Sequence, residues 1–187
     1  MRKDLGKQTF IFPMPVLIIG TYDENGEVDA MNAAWGGIYD YNQVFVSLSN
    51  HVTTDNIRKN KAFTISFATK KTVAASDYVG LVSKADDKDK IKKAGLHPFK
   101  SSKVNAPLFE EYPLTLECKL VSLDGEIGEG GYLVGEIVNV SVDESILTNG
   151  KIDIHKLEPI AYNGASHTYN LVDEEVAKAF NVGLKLK

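Results

Sequence analysis

Asn25-Gly26 lies between two strand-like runs, Val16 to Tyr22 and Glu27 to Ala34, and constrains the fold more than any other feature of the sequence. Asn-Gly in that setting predicts a hairpin whose two turn residues both take positive φ, so the flanking strands pair antiparallel. The partner strand carries Asn32 and Trp35 to its far end. After the Gly36-Gly37 pair a second strand returns over Val44 to Ser49, which predicts a second hairpin.

The rest of the chain continues in this way. Residues 1–12 are mixed in character and predict a surface segment, and Pro13 and Pro15 stiffen the entry to the first strand. Residues 53–60 read as a short helix capped by Thr53 or Thr54. Ala62 to Ala68 alternates as a strand, and Thr72 to Val82 has the spacing of a helix. The mixed charges of residues 84–93 are expected to form a solvated helix face ended by Gly95. An extended connection with few regular hydrogen bonds is expected from Pro98 to Pro113. Two long strands follow, Leu114 to Leu123 and Tyr132 to Val142, joined through Gly125, Gly128, Gly130 and Gly131. Asp143 to Leu147 reads as a turn, Ile160 to Tyr162 as a last short strand, and residues 172–181 as a terminal helix. Six or seven short antiparallel strands with helices between them predict a mainly β fold, a barrel with helical decoration. No GxGxxG follows a strand, so a dinucleotide-binding Rossmann fold has no support.

At 187 residues, 43% hydrophobic and 25% charged, the chain predicts one ordinary globular domain spanning 1–187. A net charge of −4 gives no reason to expect nucleic acid or an anionic membrane as partner. Apolar runs are too short to span a bilayer, and the first residues do not lead into a signal peptide, so a cytoplasmic location is expected. The single cysteine, Cys118, excludes an intramolecular disulfide or a dithiol couple. Its place on an apolar strand face with Leu114, Leu116 and Leu120 predicts a small core residue. His97 and His155 have no ligand partner at metal-binding spacing, and no HxH, HExxH or CxxC occurs, so no metal site is expected.

The stretch from Val28 to Ile57 carries the chemistry. Small residues beside Trp35 let a flat ligand lie against backbone, and hydroxyl and amide side chains at a helix start suit an anion. A planar ring with a phosphate at one end matches both features. A tight hairpin followed by an ordinary capped helix matches them equally.

PMPVLIIGT (Pro13 to Thr21), MNAAWGGI (Met31 to Ile38) and VSLS…TTDNI (Val46 to Ile57) resemble the flavoredoxin-like branch of the flavin reductase-like, FMN-binding split-barrel family. So do DYVGLVSKADDKDKIKKAGL (Asp77 to Leu96), APLFEEYPLTLECKLV (Ala106 to Val121), LVGEIVNVSVDE (Leu133 to Glu144) and KLEPIAYNGASHTYNL (Lys156 to Leu171). The resemblance implies an antiparallel split β-barrel of FMN-binding type, usually a homodimer, with FMN near the subunit boundary. It also implies an oxidoreductase that takes hydride from NADH or NADPH and passes electrons to a small acceptor or a protein. The alternative within the family is a flavoredoxin-type electron carrier whose bound FMN scarcely touches nicotinamide.

By the same resemblance Asn32, Ala33, Ala34 and Trp35 line the flavin, against the plainer reading of Trp35 as a core aromatic. Ser47, Leu48 and Ser49 follow the flavin, and Thr53 and Thr54 reach the phosphate. Relatives often carry an arginine after the serine strand, where this chain reads Ser49-Asn50-His51-Val52. His51 is a weaker substitute when neutral. Lys84 and Lys90 are further candidate cations, from a segment that keeps Ser83 and Asp89-Lys90 but lacks the family glycine after Ser83; Lys90 reads equally as a surface charge. Ala68 and Thr69 are expected to offer backbone contacts to the pyrimidine edge. Tyr162, His167 and Tyr169 fall in an aromatic-rich segment that closes over or near the flavin in relatives, where a tyrosine such as Tyr169 stacks on the ring; a terminal segment packing on the barrel fits at least equally. Flavin carries its own electron chemistry, so no catalytic acid, base or nucleophile is assigned.

Overall fold

The computed structural model of the chain describes residues 1–125 and 131–187. Gly128 and Gly130 of the expected glycine-rich link lie outside the described residues. Seven strands form one antiparallel sheet: β1 (Leu17–Tyr22), β2 (Val28–Ala33), β3 (Gly36–Asp40), β4 (Gln43–Ser47), β5 (Ala62–Phe67), β6 (Leu114–Asp124) and β7 (Tyr132–Val142). Their order is β2-β1-β5-β6-β7-β4-β3.

That order closes the sheet. The edge strands β2 and β3 are consecutive in the chain and joined only by Ala34 and Trp35. Laid flat, seven strands would hold their edges roughly 29 Å apart, at about 4.8 Å per strand. Three Cα steps from Ala33 to Gly36 reach at most about 11 Å. The sheet therefore curls until its edges meet at one end, as expected of a split barrel. Gly36 sits at this seam, where an added Cβ would lie 2.9 Å from Leu17 Cδ1 of β1 and 2.9 Å from the Phe45 carbonyl oxygen of β4.

Leu17, Ile19, Met31, Ala33, Val46, Phe63, Ile65, Cys118 and Leu133 form the main core, joined by Ile57. A second core, which includes Val16, Ile18, Ala30, Val79, Ile91 and Phe109, joins β1 and β2 to the segments outside the sheet. Strand β1 is thus buried on both faces, which accounts for its unbroken apolar run rather than an alternating one. Burial pushes the Cys118 thiol up to about 12, in keeping with a core residue.

Several expectations need correction. At the first turn only Gly26 takes positive φ (80°), and Asp23 Oδ1 instead accepts the N–H groups of Asn25 and Glu27 at 2.8 Å each. The helix after β4, α1 (Val52–Asn60), has His51 as its N-cap rather than Thr53 or Thr54. Thr53 and Thr54 lie one and two residues inside it. Helix α2 (Val73–Leu81) matches its predicted span closely, and α3 (Lys90–Lys93) ends the charged run. Pro98 to Pro113 is not simply a connection: Pro98–Lys100 pairs with Pro107–Phe109, with the prolines at strand starts where a missing N–H is tolerated. The last strand, β8 (Ile160–Asn163), gains a partner, β9 (Thr168–Leu171), and a second one at Met14–Pro15. Residues 172–181 form no helix; Val176 and Phe180 are fully exposed, and a short helix with no face to bury is marginal in water.

Gly36→Ala forces the Phe45 carbonyl or the Leu17 side chain to move and is expected to lower unfolding free energy by about 1–3 kcal/mol. Gly183→Ala, with nothing within 4 Å of the new Cβ, is the neutral control. Urea midpoints of the two variants check this.

Candidate functional site

Asn32 lies one residue before the end of the edge strand β2, beneath α2, and its Nδ2 donates to the Ser76 carbonyl at 3.0 Å. The approach is close, since a Cβ on Gly80 would lie 2.9 Å from Asn32 Cβ. Tyr169 of β9 reaches the same helix, its hydroxyl donating to Asp77 Oδ1 at 2.7 Å. Burial, then the bond to Asp77, pushes the Tyr169 phenol up to about 12, so it stays a neutral donor. Tyr162 lies beside it at 6.0 Å between ring centroids and is hydrogen-bonded through its hydroxyl to His167 Nδ1 at 2.7 Å. Asn32, α2 and Tyr169 thus form one connected group.

Trp35 stands at the seam with Ala34, and 56% of it is exposed, so the core-aromatic reading fails. Its carbonyl accepts the Ser47 N–H at 2.8 Å, which ties the seam to β4. From Ser47 the chain passes the buried Leu48 to Ser49, Asn50 and His51, all exposed at the start of α1. No side chain caps that helix start. The first-turn N–H groups of a helix have no intrahelical partner and favour an anion. Ring-sized aromatic, small residues, polar rim and helix start therefore follow one another along a single stretch, which fits a phosphorylated planar ligand.

The threonines of α1 play a different part from the one expected. Thr53 is 1% exposed and donates to Asp29 Oδ2 at 2.7 Å; Thr54 is fully buried and donates to the Ser49 carbonyl at 2.9 Å. Lys90, expected on a solvated face or at the phosphate, is 2% exposed, with Nζ 3.2 Å from Asp29 Oδ1. Asn56 donates to Thr21 Oγ1 at 3.1 Å, and Thr21 faces Asp29 across the strand pair. This buried polar network pins α1 and α3 to the β1–β2 hairpin. It holds the helix start in place, with its hydroxyls already engaged. Asp29 escaped notice in the sequence, although a visible signal existed: it shares the β2 face of Met31 and Ala33, where an acid needs a buried partner.

Other expected contacts sit elsewhere or are occupied. Ala68 N–H donates to the Val16 carbonyl, and the Thr69 N–H donates to Thr72 Oγ1, so neither amide is free for a pyrimidine edge. Ser83 is exposed and organises its own turn, its Oγ accepting from the Ala85 N–H. Lys84 Nζ donates to the Lys88 carbonyl at 2.9 Å and lies 3.6 Å from Glu27. The two histidines without partners at local spacing acquire distant ones: His97 Nδ1 lies 2.5 Å from Glu111, which raises its pKa, and His155 Nδ1 lies 2.5 Å from Asp173. Glu110 joins His97 and Glu111, their ligand atoms within 4.8 Å of one another.

The flavin reductase like domain family matches residues 9–167 of this chain. The chain belongs to that family. Flavoredoxin of Desulfovibrio vulgaris (Miyazaki F) is 37% identical, with 98% of this chain and 100% of that one covered and a TM-score of 0.91. Flavoredoxin from Methanosarcina acetivorans is 26% identical over 100% of both chains, with a TM-score of 0.89. Nitrilotriacetate monooxygenase component B from Bacillus cereus, at 22% identity, 90% and 88% coverage and a TM-score of 0.76, shares the fold. This family membership agrees with the mainly β split barrel built by the β2–β3 seam. Among the described residues no helix is long and apolar enough to cross a membrane.

Lys90→Met leaves the Asp29 carboxylate buried without its cation and is expected to cost about 3–5 kcal/mol. Adding Asp29→Asn should recover a large part of that loss. Equilibrium urea unfolding of both variants checks the pairing.

Proposed function

We propose that the chain is an FMN-binding oxidoreductase that moves electrons from NADH or NADPH through the flavin to a small or protein acceptor. The observation that carries this reading is the continuous run from Asn32 and the exposed Trp35 to the uncapped start of α1 in a flavin reductase-like barrel. Trp35 covers a face of the ring, and Ala33 and Ala34 allow close approach. Ser49, Asn50 and His51 meet the phosphate at the helix start, where relatives often carry an arginine; His51 assists most when protonated. The buried Asp29–Lys90–Thr53 network keeps that start fixed, so positioning falls to backbone and second-rank side chains rather than to a free lysine. Bound FMN would supply the electron chemistry, the protein its orientation and electrostatic surroundings.

A homodimer belongs to the same reading. Ile38 and Tyr39 on β3, Tyr41 just after it, and Val176, Phe180 and Leu186 in the C-terminal segment each expose more than half of their area. A second copy laid on the Trp35 side would cover such surfaces and wall the flavin.

A second reading, an electron carrier with bound FMN and no direct NAD(P)H activity, is favoured by the 37% identity to a flavoredoxin over nearly the whole chain. Anaerobic mixing of FMN-loaded protein with NADH or NADPH separates the two. Bleaching of the flavin absorbance on the time scale of turnover supports the oxidoreductase, and a flavin that stays oxidised with both nucleotides supports the carrier. Trp35→Ala, a change at an exposed residue, is expected to weaken FMN binding at least about tenfold, equivalent to about 1.4 kcal/mol, with native circular dichroism. An unchanged flavin titration contradicts the site.

A further inference from the structure

A cavity of about 500 Å³ opens at the C-terminal end of α1, bounded by the 100–105 loop and by β6. Lys61, Lys100, Lys103 and Lys119 line it, and no aspartate or glutamate does. Among the described residues none of these four ammonium groups has a carboxylate within 4 Å, whereas Lys59, Lys70, Lys84, Lys90 and Lys93 all do. Four unneutralised cations around one concavity, in a chain of net charge −4, focus positive potential there.

The walls are built, not incidental. Lys61 takes the left-handed conformation (φ 56°) that ends α1, its N–H donating to the Ile57 carbonyl at 2.9 Å. Ala62 pairs with Lys119 across β5 and β6 and packs with Val104 and Ala106 in a small core. Ser101, 4% exposed, fixes the loop: its hydroxyl donates to Glu117 Oε2 at 2.6 Å and accepts the N–H groups of Lys103 and Val104 at 2.9 Å each. Glu117 is itself buried, and its other oxygen accepts from Asn139 at 2.8 Å. Glu117 is therefore engaged beneath the loop, and Glu136, opposite Lys119 across β6 and β7, makes no ion pair within 4 Å among the described residues. Ser102 and Asn105 add polar side chains to the lining.

We propose that this cavity binds a small molecule bearing a di- or triphosphate chain. Compact lysine ammonium groups suit multivalent phosphate oxygens, the volume falls within the range of small-ligand sites, and a concave basin does not fit a flat acidic protein face. Helix α1 separates the basin from the expected flavin phosphate site by roughly 12 Å of helix rise, so the two sites are independent. The source of the phosphate chain is either free polyphosphate or a nucleotide.

Calorimetric titration of the full chain with tripolyphosphate and with ATP, both without divalent cations, tests this. A single site per chain whose affinity falls with added salt is expected. Lys100→Ala/Lys103→Ala, both at exposed positions, should weaken binding at least about tenfold by removing charge-assisted hydrogen bonds, while the FMN titration and the urea midpoint stay unchanged. Lys119→Gln, on a different element, should weaken it as well and serves if the loop variant fails to fold. Tighter binding of ATP than of tripolyphosphate assigns a nucleotide; equal binding assigns the phosphate chain alone. No binding of either probe, binding unaltered in both variants, or a glutamate-rich peptide binding more tightly than tripolyphosphate overturns the proposal.

Discussion

The two-residue link between β2 and β3 dictates the rest of the structure. Opposite edges of a seven-stranded sheet can be consecutive in the chain only if the sheet curls back on itself, and Ala34-Trp35 leaves no slack for any other arrangement. Closure puts the apolar faces of six of the seven strands around the main core, with Phe63, Ile65, Cys118 and Leu133 fully buried and β3 contributing none. It also leaves the link itself outside. Trp35 is exposed there, beside Gly36 and Gly37, whose missing side chains let β3 pack closely against Leu17 and Phe45.

What the seam presents, the polar network holds in register. Asp29 is buried one strand-length from Trp35 and takes Thr53 of α1 and Lys90 of α3 on its two oxygens. Replacing the network by apolar residues would stabilise a barrel as well or better in energetic terms. Its directional bonds, however, fix where the first turn of α1 lies relative to β2, the strand that carries Asn32. Stability comes from the two apolar cores, and placement of the first turn of α1 comes from buried charge.

The sequence made the sheet legible because its strands are long and apolar or cleanly alternating, and the hairpin signal at Gly26 is local; Gly36-Gly37, read as the turn of a second hairpin, instead lies within β3, which pairs with β4. It hid what depends on distant chain segments. Thr53 and Thr54 read as caps because hydroxyls at a helix start usually cap; here burial against Asp29 and Ser49 captured them, and His51 took the cap position. Lys90 read equally as a phosphate cation or a surface charge because most of its neighbours are charged, while its partner lies 61 residues earlier. Residues 172–181 read as helix from local composition, yet no face of the barrel receives them. Asn32, Trp35 and Ser47–Ser49 could be proposed together from the sequence because one continuous stretch carries them all. The four-lysine basin was not, since its members come from α1, the 100–105 loop and β6.

The seam and the turn before α1 are proposed to form one slot for FMN. A crystal structure of the protein grown with riboflavin 5′-phosphate measures it directly. The account predicts the three-ring system against Trp35 near Asn32, with the phosphate at Ser49–His51 and the Asp29–Lys90 pair intact beneath it. Flavin bound elsewhere, or a slot filled by the protein's own side chains in the presence of saturating flavin, would contradict it.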